Sequence, residues 1–106
     1  MKRIILLLLT FISLAAFTRS GGPIADDCTC KGIKLWGQVK IVDQYPDFRV
    51  KVVTSHENLT VQVVKSYPDK CGKWQFVDYF EDFKIQLVDF SEDFTIRFDP
   101  YFPGLH

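Results

Sequence analysis

The sequence predicts an all-β fold built from a short repeat. An eleven-residue phrase recurs six times between Gly37 and Gly104, its first half alternates apolar and polar residues, and its second half carries turn chemistry. The copies are GQVKIVDQYPD (37–47), FRVKVVTSHEN (48–58), LTVQVVKSYPD (59–69), GKWQFVDYFED (72–82), FKIQLVDFSED (83–93) and FTIRFDPYFPG (94–104), and only Lys70 and Cys71 break the period.

Within each copy the first, third and fifth positions are apolar or Gly, as in Phe48, Val50 and Val52 or Phe83, Ile85 and Leu87. Period-two alternation with β-branched and aromatic side chains marks a half-buried strand. Tyr45-Pro46-Asp47 and Tyr67-Pro68-Asp69 then supply a preset φ and a side chain able to bond nearby backbone. Each copy therefore reads as one strand of about six residues and one bend of about five.

Two architectures satisfy this pattern. In the preferred one the bends are arcs and two copies make a coil, so that copies one, three and five stack as one parallel sheet and two, four and six as another. This two-sheet β-solenoid would set Val39, Val61 and Ile85 against Val50, Trp74 and Ile96. The alternative is an antiparallel meander or small barrel. Hairpin loops favour residues with φ > 0, hence Gly or Asn, and the inner bends hold only Asn58. A solenoid needs capped ends. Trp36 with the N-terminal arm, and Tyr101 to His106, are the expected caps.

Residues 1–20 read as a secretory signal peptide: Lys2 and Arg3, an apolar run from Ile4 to Phe17, then small residues. Cleavage after Ala16, Ser20 or Ala25 fits equally, and the run is short for a transmembrane span. Residues 21–36 form an N-terminal arm and cap, reading as a linker at their start, and 37–104 the β-repeat domain. The formal charge of zero conceals a mildly acidic mature chain, since removing Lys2, Arg3 and Arg19 leaves ten basic against thirteen acidic residues. That balance is no nucleic-acid footprint. The expected location is secreted or periplasmic, with no transmembrane span after cleavage.

In an exported chain a Cys pair defaults to a disulfide. Cys71 sits in the one interruption of the array, so it is expected to pair with Cys28 or Cys30 and staple the arm to the repeat. The thiol left over admits a buried free Cys, redox exchange through the Cys28/Cys30 pair, or metal handling. The Cys28-Thr29-Cys30 spacing is not that of a structural zinc knuckle, and His56 and His106 are bracketed by no other ligands, so no metal and no cofactor are assigned.

The second and fourth strand positions give Gln38, Lys40, Arg49, Lys51, Thr60, Gln62, Lys73, Gln75, Lys84, Gln86, Thr95 and Arg97, with no acid among them. The bends carry the carboxylates instead. Flat basic and amide-bearing faces rimmed by acids are expected. Lys on strands protects sheet edges. The same set, Lys40, Arg49, Lys51, Lys73, Lys84 and Arg97, is the candidate face for an anionic polysaccharide or envelope component. Oxygen-rich bends also raise calcium, but no copy has a glycine-rich calcium loop. No phosphate loop, nucleophile elbow or metalloprotease helix is present, so no enzyme is expected.

Cys28-x-Cys30-x-Gly32, Cys71-Gly72-Lys73-Trp74-Gln75 and the recurring Val-Asp-x-Phe/Tyr-Pro/Glu-Asp resemble a group of small exported bacterial proteins built from Val-Asp-Ser-Phe-Pro-Asp type repeats. The resemblance spans residues 28–104 and carries over no catalytic residues. The chain departs from the ideal repeat at Thr54-Ser55-His56-Glu57-Asn58 and Phe90-Ser91-Glu92-Asp93. The function expected is a structural or binding role in the envelope or outside the cell, with thiol redox or metal handling as the alternative.

Overall fold

The computed structural model describes residues 22–106, so the expected signal peptide lies outside the described residues. The strands are β1 (Thr29–Cys30), β2 (Ile33–Lys34), β3 (Gly37–Ile41), β4 (Phe48–Val52), β5 (Leu59–Val63), β6 (Lys73–Phe76), β7 (Phe83–Leu87) and β8 (Phe94–Phe98), and no helix occurs among the described residues. Each repeat copy contributes one strand, as its alternation requires.

β3 to β8 close into one barrel in the ring order β8-β4-β7-β3-β6-β5, with every seam parallel. This is the small-barrel alternative with parallel strands. The two-sheet solenoid expected above is not what forms, because copies do not stack on the copy two places away. β3, from copy one, pairs instead with β6 and β7, from copies four and five. β7 fills the gap between β3 and β4, and β8 fills the gap between β4 and β5. The second half of the chain is thus threaded between the strands of the first.

All six seams share one register. Val39 faces Phe83, Phe48 faces Ile85 and Phe94 faces Val50, each a first position against a third. Two residues of offset at each of six seams give a total stagger of twelve. A stagger of twice the strand number tilts the strands steeply, and with only six strands the interior is just wide enough for side chains to fill. Side chains at the first and third positions fill it. Phe48, Leu59, Phe83 and Phe94 form one layer, and Val39, Val50, Val61, Trp74, Ile85 and Ile96 the next, all buried. The aromatic rings meet edge to face, Phe48 on Phe94 at 5.3 Å and Trp74 on Phe83 at 5.5 Å between centroids. The fifth position behaves otherwise: it reads as core by alternation, but its side chains stand half exposed at the barrel mouth.

The bends explain the threading. The bend 42–47 arches over the outside of β7. Its Val42 N–H donates to the Ile85 carbonyl (2.8 Å) and its Asp47 N–H to the Lys84 carbonyl (2.9 Å), while the Lys84 N–H donates back to the Asp47 carboxylate (2.8 Å). The same double clamp recurs at the eleventh position of other copies. Asp82 clamps Gln38 on β3 and Asp93 clamps Arg49 on β4, each with a carboxylate contact of 2.7 Å. Asn58 clamps Thr95 on β8 with its amide oxygen at 2.8 Å from the Thr95 N–H. Gly104 has no side chain, and its own carbonyl accepts from Thr60 N–H at 3.0 Å. The recurrent bend acid is therefore a backbone clamp, and the departure at Asn58 keeps the clamp with an amide.

Five of the six bends turn through a left-handed residue at the ninth position. These are Tyr45, His56, Tyr67, Phe80 and Ser91, with φ between 56° and 62°. The absence of Gly that argued against tight turns did not prevent positive φ: clamps fix the flanking backbone at Tyr45, His56, Phe80 and Ser91, and at Tyr67 the Asp69 N–H donates to the Tyr67 carbonyl instead.

The arm is a packed cap rather than a linker. β1 and β2 form an antiparallel hairpin across Lys31-Gly32, both at positive φ, which is the type I′ geometry that matches strand twist. Ile24, Cys28, Cys30 and Leu35 are buried against the barrel. The Leu35 carbonyl accepts from the Trp74 indole N–H (3.0 Å) and the Gly72 N–H (3.2 Å). At the other terminus, Gly104 bridges Thr60 while Tyr101 and Phe102 remain in solvent, so the expected C-terminal cap reduces to Pro103-Gly104. Both ends converge on Gly72, where a Cβ would collide with the Thr60 carbonyl and the Gly104 nitrogen at a φ of +84°.

Two stability changes follow. Asp82→Ala leaves the Gln38 N–H without its partner and is expected to cost about 1–2 kcal/mol in denaturant unfolding, while Asp82→Asn stays close to wild type, as Asn58 already shows the amide can serve. Gly72→Ala is expected to cost more than about 2 kcal/mol by the same measurement, because strain and backbone collision act together.

Candidate binding face

Outside the barrel the second and fourth strand positions alternate with the core, and the clamped bends shelter them. Register decides which of the candidate cations meet. In register, Lys40 on β3 pairs with Lys84 on β7, Arg49 on β4 with Gln86 on β7, and Lys51 on β4 with Thr95 on β8. β3, β7 and β4 are consecutive in the ring, so Lys40, Lys84, Arg49 and Lys51 lie on three neighbouring strands, with bend 42–47 crossing β7 at Lys84 and Ile85. None of the four has an ion-pair partner among the described residues.

Lys73 and Arg97 do not join that face. Lys73 lies on β6 and reaches Asp69 at 4.0 Å. Arg97 lies on β8 between Glu57 (3.0 Å) and Asp99 (3.3 Å). The Glu57 carboxylate also accepts from the Thr60 hydroxyl at 2.9 Å, and Asp99 accepts from the Tyr101 N–H at 2.7 Å. Glu57 is held below its ordinary value first by its own backbone N–H, then by Thr60 and Arg97. Asp99 is held down first by the Tyr101 N–H. Arg97 is therefore a neutralised strut joining bend 53–58 to β8, and the irregular Thr54-to-Asn58 stretch is the network that holds it.

Next to the basic face an open cleft of about 580 Å³ lies under bend 42–47, lined by Lys31, Asp43, Gln44, Tyr45, Pro46, Asp47, Arg49, Gln86 and Asp93. Asp93 spends one oxygen on the Arg49 N–H (2.7 Å) and the other on Lys31 (3.4 Å), and Asp47 is occupied by Lys84 N–H. Those two carboxylates are thereby tied to structural donors, which leaves Arg49, Gln44, Gln86, Tyr45 and the Asp43 carboxylate, unpaired among the described residues, to line the opening. Sequence reasoning named Arg49 and Gln86 but missed Lys31 and Tyr45. Lys31 comes from the arm hairpin, and only the Lys31-Gly32 turn signal hinted that this segment folds back.

The cysteines resolve cleanly. Cys28 and Cys71 form a disulfide, their Cα atoms 5.9 Å apart, and Cys30 is free and buried. Burial pushes the Cys30 thiol above its ordinary range. With Cys28 in the bridge, no Cys28/Cys30 dithiol exists in this structure. No group of metal-ligating side chains occurs among the described residues, and no helix among them is long and apolar enough to cross a membrane. The disulfide is compatible with an oxidising compartment.

A family model described as a 7(1) septoil knot domain matches residues 32–106. The chain belongs to that family. The arched bends give the word knot its physical content here, since bend 42–47 passes over the later strand β7 while bend 77–82 passes over the earlier strand β3. No curated protein matches the septoil-knot chain.

Thiol counting on the folded protein is expected to find one thiol, unreactive until the fold is opened. Reducing Cys28–Cys71, a link across 43 residues, is expected to lower stability by about 4 kcal/mol. The acid network fixes a pH dependence as well. Because Glu57 and Asp99 have depressed folded values, their contribution is present above the ordinary values of 4.5 and 3.8 and is lost as pH falls through the folded ones. The double variant Glu57→Gln with Asp99→Asn should therefore be less stable at neutral pH but show a flatter acid limb in a pH-dependent unfolding series.

Proposed function

We propose that this septoil knot is an exported, non-enzymatic scaffold of the secreted or periplasmic space, of the small bacterial type its repeat resembles, and that it binds an acidic polysaccharide or similar envelope polymer. One observation carries the reading. The unpaired cations Lys40, Lys84, Arg49 and Lys51 share three consecutive strands, whereas the paired ones, Lys73 and Arg97, lie elsewhere. Lys40 and Lys84 are register partners on strands about 4.8 Å apart, with Arg49 and Lys51 on the next strand, which suits a polymer carrying several carboxylates or sulfates. The amides of Gln44 and Gln86 and the Tyr45 ring beside Arg49 offer hydrogen bonds and a flat surface to a sugar. The thiol alternative lacks its second thiol, since Cys28 is bridged.

Chromatography on immobilised heparin tests the reading. Retention at low ionic strength that salt abolishes is expected, and Lys40→Glu with Lys51→Glu should remove it while Lys65→Glu with Lys70→Glu leaves it nearly intact. Retention that ignores salt, or that both pairs reduce equally, would refute a face on β3, β7 and β4.

A further inference from the structure

The fifth strand position points toward the barrel axis by alternation, yet its side chains reach water. Ile41, Val52, Val63, Leu87 and Phe98 are 43–53% exposed, and Phe76 is half-buried. Because the offset is the same at all six seams, equivalent positions stand at one level. These side chains therefore form a ring round one mouth of the barrel. The other mouth is closed by the arm, through Leu35 and its bonds to Gly72 and Trp74. The ring leaves on the order of a few hundred Å² of contiguous apolar surface in water, the upper end of what a monomer leaves uncovered. Two grooves indent it, one of about 240 Å³ between Val63 and Phe98 and one of about 190 Å³ between Ile41 and Phe76.

The rim of this mouth is charged on one side. Asp78, Asp43 and Asp89 occupy the seventh position of their copies, two residues beyond the ring side chain. Their strands, β6, β3 and β7, are consecutive in the ring. All three residues are exposed, and none is ion-paired among the described residues. The one basic residue at the seventh position is Lys65.

Area and charge select the occupant. A stable interface between whole domains needs about 800 Å² from each partner, more than the ring supplies, so a short segment fits better. A second copy of the chain would bring one acidic arc against another. We infer that the open mouth docks a cationic amphipathic segment of a partner protein, its apolar side chains seated in the ring and its Lys or Arg residues along the Asp78–Asp43–Asp89 arc.

The test measures fluorescence anisotropy of a labelled Leu/Lys amphipathic peptide against the mature chain. A Leu/Glu peptide, neutral phosphatidylcholine vesicles and sedimentation equilibrium of the chain alone run beside it. Saturable binding of the Leu/Lys peptide is expected, weakened at least about tenfold by Val52→Ser with Leu87→Ser. The exposed triple Asp43→Asn, Asp78→Asn and Asp89→Asn should weaken it about as much. Removing three acids elsewhere, with Asp26→Asn, Glu81→Gln and Glu92→Gln, should change it little. Equal loss in that control triple, or equal binding of the Leu/Glu peptide, would overturn the inference. So would vesicle binding or self-association that depends on Val52 and Leu87, which would assign the mouth to lipid or to a second copy.

Discussion

The structure depends on one clamp. At the eleventh position of a copy, a backbone N–H donates to the second residue of a strand from another copy, and a side-chain oxygen accepts that residue's own N–H in return. The two bonds do what a sheet ladder does, but for a bend lying across a strand rather than beside it. Without them each bend would leave both its own amides and those of the crossed strand unpaired in a partly covered position, which folding does not tolerate. The clamp is what lets a chain of short parallel strands cover itself with its own connections. It also accounts for the left-handed residue in the four clamped bends, at Tyr45, His56, Phe80 and Ser91, since fixing both ends of a six-residue arch leaves the middle few conformations.

Weaving follows from the clamp. A bend that must pass over a strand can close only when that strand is already in place, or when the strand can slip beneath it. Pairings such as Val39 with Phe83 join residues more than forty positions apart, and contacts of that range are entropically late. The Cys28–Cys71 link and the convergence of both ends on Gly72 secure the seam where β5 meets β6 directly. There the two extra residues Lys70 and Cys71 and the loss of a side chain at Gly72 let arm and tail share one crowded spot.

The same covering reverses the usual distribution of surface. Bends shelter the outer, polar positions of the strands, while the inner fifth position emerges at a mouth that no described residue caps. The molecule thus presents three chemically distinct regions: a basic face over β3, β7 and β4, an apolar mouth with an acidic arc, and exposed aromatic bend tips such as Tyr45, Tyr67, Phe80 and Phe90. The six candidate cations do not lie together, because closing the sheet distributes them round a circumference. Ring order leaves four side by side and hands the other two to local carboxylates.

The sequence by itself determined the local structure: six strands at the right places, the first and third positions of each in the core, Cys71 as the partner of an arm cysteine, and a chain without helix among its described residues. Those features rest on near-neighbour physics, namely alternation, turn chemistry and the repeat itself, which a single copy already displays. Only the tertiary structure decided which copies pair, that Cys28 rather than Cys30 takes the bridge, that bend acids clamp backbone, and that the fifth apolar position faces water. Equivalent copies are interchangeable partners as far as side-chain pattern goes. The choice among them is made by how far a bend must reach to cross an intervening strand, a distance set by barrel closure and invisible in any one repeat.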